Sequence, residues 1–89
     1  MSEHEILLAA IHSFGEERQE RQAIEECSEL IQAICHKQRG REHNIAEEIA
    51  DVEIMLEQLK IINNCDNKVK EIRKYKIDRL YQRVFDMCL

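Results

Sequence analysis

The chain has 89 residues, of which 35% are charged; it contains no proline and two glycines, and its formal net charge is -5. A chain of this length forms one domain, and its composition is typical of a helical protein rather than a turn-rich β protein. The negative balance argues against a general nucleic-acid-binding protein, which carries a basic face, and no apolar run approaches the roughly 18 residues of a membrane span.

Two capping patterns predict the first two helices. Ser2 with Glu5 has capping-box spacing and is followed by apolar residues at helical intervals, which predicts a short first helix. Ser13 with Glu16 repeats the pattern, with Gly15 as a joint between the two helices, and predicts a long second helix that runs to about residue 39. The apolar stripe of this second helix has a period near 3.6 and is expected to face the core: Ile24, Cys27, Leu30, Ile31 and Ile34.

Asn44 with Glu47 predicts the cap of a third helix. A polar turn at residues 63–66 separates it from a fourth helix, which is expected from about Asn67 into the eighties. Short connections make neighbouring helices antiparallel, so we expect an all-α antiparallel bundle of about four helices in a single domain, residues 1–89. The apolar positions of the last two helices are Ile45, Ile49, Val52, Met55, Leu56, Leu59 and Ile62, then Val69, Ile72, Tyr75, Leu80 and Val84.

The four cysteines do not form a disulfide or zinc framework, because none lies in a CxxC pair or a Cys/His cluster. Cys27 and Cys35 fall on apolar helix positions and are expected to be buried, reduced thiols; Cys65 and Cys88 are the other two. Reduced thiols and an N-terminus without a secretory signal predict a cytoplasmic protein. A chain this short buries only roughly 60% of its unfolded surface, so we expect a homo-oligomer.

Two pairs of acids lie on consecutive helices. Glu26 and Glu29 are three residues apart on the second helix, and Glu48 and Asp51 are three apart on the third. Side chains with this spacing are neighbours on one helix face. Both pairs border the apolar stripe, so the helical hairpin is expected to bring four carboxylates together. Such a group either raises its pKa values or binds a cation, and oxygen ligands favour Mg²⁺ or Mn²⁺.

Simpler interpretations of the polar residues stand beside this one. Glutamate is a good helix former, so an isolated ExxE pair is usually a solvated face. Gln19 and Gln22 precede the acidic motif, and we interpret them as solvated glutamines in preference to contacts with a nucleotide base. The basic residues of the fourth helix fit a soluble surface as well as a phosphate-binding role.

The ordered acids resemble the signature of the MazG-like, all-α nucleotide pyrophosphohydrolase family, which is EExxE followed by ExxD. Here the motifs read EECSE from Glu25 to Glu29 and EIAD from Glu48 to Asp51, with eighteen residues between them. A later KxxR, at Lys76 and Arg79, is similar to that of the small phage and bacterial members. The resemblance extends over about residues 16 to 84.

This resemblance implies a cofactor, a substrate and a role for each motif residue. Members cleave a nucleoside triphosphate to a monophosphate and pyrophosphate, and are dimers or tetramers that hold the base between subunits. Glu25 would orient the attacking water or a group next to the metal ligands. Lys76 and Arg79 would bind phosphate oxygens, in competition with Arg73 and Arg83 on nearly the same face. The Mg²⁺ ligands would be Glu26, Glu29, Glu48 and Asp51.

Three other functions remain open. A non-catalytic helical bundle that acts through protein contacts would keep the fold without needing acids at the core border. A helical enzyme resembling chorismate mutase would need converging basic residues, whereas the strongest cluster here is acidic. A family member that only binds nucleotide would be expected to have lost some of the motif acids, all of which are present.

Overall fold

The computed structural model describes residues 1–85, which form four α-helices and no β-strand. The helices are α1 (Glu3–Phe14), α2 (Glu16–Gln38), α3 (Ile45–Ile62) and α4 (Asp66–Phe85). The prediction of an all-α chain is confirmed. None of these helices is long and apolar enough to cross a membrane.

Helices α1 and α3 begin directly after the caps that the sequence predicted, Ser2 and Asn44, whereas α2 begins after Gly15. Ser2 Oγ accepts a hydrogen bond of 3.1 Å from the backbone N–H of Glu5, which caps α1. The predicted cap at Ser13 is wrong, because Ser13 lies within α1 and the chain bends at Gly15, whose φ is 92°. Glycine adopts this positive φ without steric cost, so the joint needs no side-chain cap. Asn44 is the N-cap residue of α3 as predicted, but within residues 1–85 its side chain accepts no hydrogen bond from a backbone N–H of the helix.

Helices α2 and α3 form an antiparallel hairpin that is the centre of the molecule. Near one end, Gln19 Nε2 donates a hydrogen bond of 2.7 Å to Gln58 Oε1, and both side chains are buried. Near the other end, Glu29 lies beside Glu48. α1 packs against both helices of the hairpin. The buried apolar residues are few, and two of the four are alanines: Leu7, Ala23, Ala33 and Met55.

The apolar stripe predicted to line the core of α2 faces mainly outward, which corrects the sequence interpretation. Ile24 is 67% exposed and Ile31 is 63% exposed, and Cys27, predicted to be a buried thiol, is exposed as well. The inward positions are instead Gln19, Ala23 and Ala33. Small side chains let two helices approach closely, so the hairpin packs through alanines while the larger isoleucines of α2 remain on the surface. Cys35 and Cys65 are half-buried free thiols, and Cys88 lies outside the described residues.

Helix α4 extends away from the other three. It contacts only α3, and none of its residues in Asp66–Phe85 is buried. The Cα radius of gyration is 16.5 Å, whereas a compact domain of this length has about 12 Å. The accessible surface is 7458 Å², against about 5,500 Å² for a compact monomer of the same mass. The isolated chain therefore leaves apolar surface on α4 that an ordinary monomer would bury: Ile72, Tyr75, Ile77, Leu80, Tyr81, Val84 and Phe85.

Candidate metal centre

Three carboxylates meet between α2 and α3. Glu26 and Glu29 extend from α2 and Glu48 extends from α3, and each offers an oxygen within 4.8 Å of the others. The spacing of three residues places the two α2 acids on neighbouring faces of that helix. The antiparallel hairpin brings Glu48 to the same level. The structure thus joins three of the four acids that the sequence selected as metal ligands.

Two of these carboxylates are each held by one hydrogen bond. Gln22 Nε2 donates to Glu26 Oε1 at 2.8 Å, and Asn44 Nδ2 donates to Glu48 Oε1 at 2.7 Å. In both pairs the amide lies four residues before the acid, one turn away on the same helix side. The bonds leave the second oxygen of each carboxylate available.

Those second oxygens are buried and have no hydrogen-bond partner within residues 1–85: Glu26 Oε2 and Glu48 Oε2. Glu48 as a whole is only 6% exposed. A buried carboxylate oxygen without a partner costs free energy, because it has lost its water and gained no donor. A proton or a cation bound at these oxygens would offset this cost.

Electrostatic repulsion within the cluster acts on Glu29. The negative charge of Glu26, followed by that of Glu48, raises the pKa of the Glu29 carboxyl above its usual value of 4.5. Partial desolvation and the charge of Glu25 act in the same direction. Like charges held close together disfavour the ionised form, so this side chain holds its proton to a higher pH than an isolated glutamate.

The donor set matches a hard divalent cation. Three carboxylate oxygens with no sulfur or imidazole among them suit Mg²⁺ or Mn²⁺ rather than Zn²⁺. A cation between the helices would satisfy the two unpaired oxygens and remove the repulsion that raises the pKa of Glu29. Mg²⁺ commonly takes a few carboxylates and fills its remaining positions with water and substrate phosphates.

Asp51 and Glu25 lie close to the cluster and outside it. Asp51 is half-buried on α3, one turn beyond Glu48 and on the same side of the helix, but its carboxylate is not among the three that meet. Glu25 is exposed on α2, and its charge contributes to the raised pKa of Glu29. Both side chains can therefore act on a group bound at the cluster from its edge.

The structure of the single chain does not bring the predicted phosphate-binding residues beside α2. Lys76 and Arg79 are exposed on α4, which contacts α3 and, within residues 1–85, no other helix. The Arg79 guanidinium lies 6.0 Å from the centre of the Tyr75 ring, one turn earlier on the same helix.

Sequence reasoning missed the two amides that hold the carboxylates. Gln22 was interpreted as a solvated glutamine and Asn44 only as a helix cap, and each donates a hydrogen bond to a cluster acid. Gln19, also interpreted as solvated, is buried against Gln58. The available signal was the spacing of four residues between each amide and its acid, which favours contact on a helix.

Comparison with known proteins gives no independent assignment: no family model, no curated protein and no solved structure matches this chain.

Proposed function

We propose that this protein is a Mg²⁺-dependent nucleoside triphosphate pyrophosphohydrolase that converts a ribo- or deoxyribonucleoside triphosphate to the monophosphate and pyrophosphate. The observation that supports it best is the convergence of Glu26, Glu29 and Glu48, in which two buried carboxylate oxygens have no hydrogen-bond partner. The same acids are those of the EExxE and ExxD motifs on which the family resemblance rests. The burial argues for a cation, and the motif order argues for this reaction.

Glu26, Glu29 and Glu48 would hold the metal ion, with Asp51 completing the set from the next turn of α3. Mg²⁺, or Mn²⁺ in its place, would supply positive charge that neutralises the triphosphate and assists ionisation of the attacking water. Gln22 and Asn44 fix the orientation of two ligands through their hydrogen bonds of 2.8 and 2.7 Å.

The protein's other residues would position the reactants. The water oxygen forms a bond to the α phosphorus as the bond from that phosphorus to the bridging oxygen breaks, and pyrophosphate leaves. Glu25, exposed beside the cluster, would orient this water and accept its proton. The family resemblance assigns phosphate binding to Lys76 and Arg79, which are exposed and three residues apart on α4, a helix that does not contact α2 within residues 1–85 of one chain.

We further propose that the enzyme acts in the cytoplasm as a homo-oligomer, a dimer or a tetramer. Free thiols at Cys27, Cys35 and Cys65 suit a reducing compartment. The extended shape and the surface in excess of a compact monomer suit association with further copies.

The alternative is a non-catalytic protein-interaction module. The exposed apolar residues of α2 and α4 favour it, because large exposed apolar patches mark binding surfaces. It gives no reason, however, for an acidic cluster with buried, unpaired oxygens. The enzyme would require the Glu48 carboxylate, whereas the interaction module would not.

The test is a panel of ribo- and deoxyribonucleoside triphosphates incubated with Mg²⁺ or with EDTA, with products separated by chromatography. Glu48→Gln removes a cluster charge and keeps the side-chain shape, and Glu53→Gln is the matched control, an exposed glutamate on the same helix. We expect monophosphate and pyrophosphate that depend on Mg²⁺, persist in the control and disappear in Glu48→Gln. Diphosphate and orthophosphate would mean cleavage at another bond, and no turnover of any nucleotide would support the interaction module.

A further inference from the structure

One face of α2 exposes a regular row of apolar side chains, which we call the α2 seam: Ile24, Cys27, Ile31 and Ile34. Ile24 and Ile31 are more than 60% exposed, and Ile34 and Cys27 are exposed as well. The residues that α2 buries within the chain are different ones, Gln19, Ala23 and Ala33, and Ile34 is the least exposed of the three seam isoleucines at 38%. The α2 seam is thus a second apolar face on the same helix.

We propose that two copies of this chain associate through the α2 seam, with their α2 helices antiparallel. The seam has intervals of three, four and three residues, which is the spacing of a and d positions in a coiled coil. This order reads the same in both directions. An antiparallel pair therefore sets Ile24 against the partner's Ile34 and Cys27 against the partner's Ile31. A two-fold dimer requires such a self-complementary patch.

The charges that flank the α2 seam favour the antiparallel arrangement. The charged residues between positions 30 and 41 are all basic, whereas acids outnumber arginines between positions 16 and 29. Arg21, the arginine nearest the seam, is already paired with Glu17 at 2.8 Å. An antiparallel pair places the acidic N-terminal half of each α2 beside the C-terminal end of the other, where Lys37 lies in the helix and Arg39 and Arg41 follow it, and it also opposes the two helix dipoles. A parallel pair would place like charges together. The basic residues are Lys37, Arg39 and Arg41.

The surface of the chain is large enough for a stable homodimer. Its 7458 Å² exceeds the value for a compact monomer of this mass by roughly 2,000 Å². Obligate homodimers bury about 2,000 Å² or more in total, which is about 1,000 Å² from each chain. The excess therefore accommodates one such interface and leaves surface on α4 for other contacts.

The α2 seam lies away from the carboxylate cluster. Glu29 is two residues from both Cys27 and Ile31, so its side chain points to nearly the opposite side of the helix. Dimerisation at the seam leaves the cluster open. The inference therefore stands independently of the proposed activity and of metal binding.

The first test compares the mass in solution of the wild-type protein with that of two variants, measured by light scattering after size-exclusion chromatography. Ile31→Glu places a charge in the α2 seam, and Ile77→Glu makes the same change at a 48%-exposed isoleucine on α4. We expect twice the chain mass of 10.6 kDa for the wild type, a twofold loss of mass for Ile31→Glu, and no loss for Ile77→Glu. A monomeric wild type, or an Ile31→Glu protein that remains dimeric, would overturn the proposal.

A cross-linking test decides the orientation and does not depend on a destabilising variant. Ile31→Cys is prepared with and without ¹⁵N label, the two preparations are mixed and oxidised, and bridged peptides are identified by mass spectrometry. We expect mixed-label bridges between Cys27 of one copy and the substituted position 31 of the other. Mixed-label bridges that join position 27 to 27 and 31 to 31 would indicate parallel helices and contradict the proposal, as would the absence of any bridge between copies along α2.

Discussion

Glu26 on α2 and Glu48 on α3 each bury a carboxylate oxygen that has no hydrogen-bond partner among residues 1–85, and the two residues offer ligand oxygens within 4.8 Å of each other. The other oxygen of each carboxylate accepts one amide hydrogen bond, from Gln22 and Asn44 respectively. One oxygen of each carboxylate is therefore held by a hydrogen bond, whereas the other is buried without a donor among the described residues. The free energy of unfolding should depend on whether a cation binds between these two oxygens.

Mg²⁺ should raise the melting temperature of the wild type, because the ion binds the folded cluster and has no equivalent site in the unfolded chain. At a concentration 100 times Kd the stabilisation is about 2.7 kcal/mol, equivalent to a rise on the order of 10 °C for a domain of this size. Glu48→Gln should melt higher than the wild type in EDTA, since one repelling charge is removed, and should show no rise with Mg²⁺. Differential scanning fluorimetry measures both effects.

The control for this experiment is Glu53→Gln, which removes an exposed charge from the same helix. It should respond to Mg²⁺ as the wild type does. An equal response in Glu48→Gln would show that Mg²⁺ acts elsewhere on the chain.

The raised pKa of Glu29 predicts how the stability of the metal-free protein depends on pH. Neighbouring charges from Glu26 and Glu48 raise this pKa above 4.5, so between 4.5 and the raised value the folded state binds more protons than the unfolded state. Stability must then fall as pH rises through this window. Glu29→Gln removes the titrating group and should flatten the fall. Thermal melts in EDTA from about pH 4 to about pH 7 test this.

Protonation of Glu29 also competes with the metal, so Mg²⁺ should stabilise the wild type less at the acidic end of the same series. A Mg²⁺ effect that grows as pH falls would have the wrong sign for binding at this cluster.

Asn44 should control metal affinity without being a ligand. Its amide holds Glu48 through the hydrogen bond of 2.7 Å, and residues that orient metal ligands typically contribute 10–100-fold in affinity. Asn44→Ala should therefore weaken Mg²⁺ binding by about this factor in isothermal titration calorimetry. Asn67→Ala, an exposed asparagine at the start of α4, is the matched control and should bind as the wild type does. Equal affinities for the two variants would remove Asn44 from the site.

The buried side chains of Gln19 and Gln58 should stabilise the fold because the donor of one pairs with the acceptor of the other. Gln19 Nε2 donates to Gln58 Oε1 at 2.7 Å, and both side chains are less than 10% exposed. Gln19→Leu leaves the Gln58 oxygen buried without a donor and should reduce the free energy of unfolding by about 1–3 kcal/mol in urea denaturation. The double variant Gln19→Leu/Gln58→Leu removes both polar groups and should recover most of that loss. A double variant less stable than the single one would contradict this reason.

Local patterns in the sequence determined the helices and their order. Ser2 with Glu5 predicted the start of α1, and the absence of proline together with polar turns near residues 40 and 63 predicted the ends of the others. The two acidic pairs on consecutive helices also identified the residues that meet, because helical spacing and a short hairpin leave few arrangements. The capping prediction at Ser13 failed, whereas the joint predicted at Gly15 lies between α1 and α2, with a φ of 92°.

Tertiary structure alone decided which face of α2 packs inward and which acids converge. α2 has two candidate faces, and hydropathy favours the isoleucines, whereas close packing on α3 selects Ala23 and Ala33. Whether Asp51 joins Glu26, Glu29 and Glu48 depends on the rotation of α3 about its axis, and whether Lys76 approaches them depends on the direction of α4. The rotation of α3 and the direction of α4 are set by contacts between helices, whereas sequence periodicity describes each helix by itself.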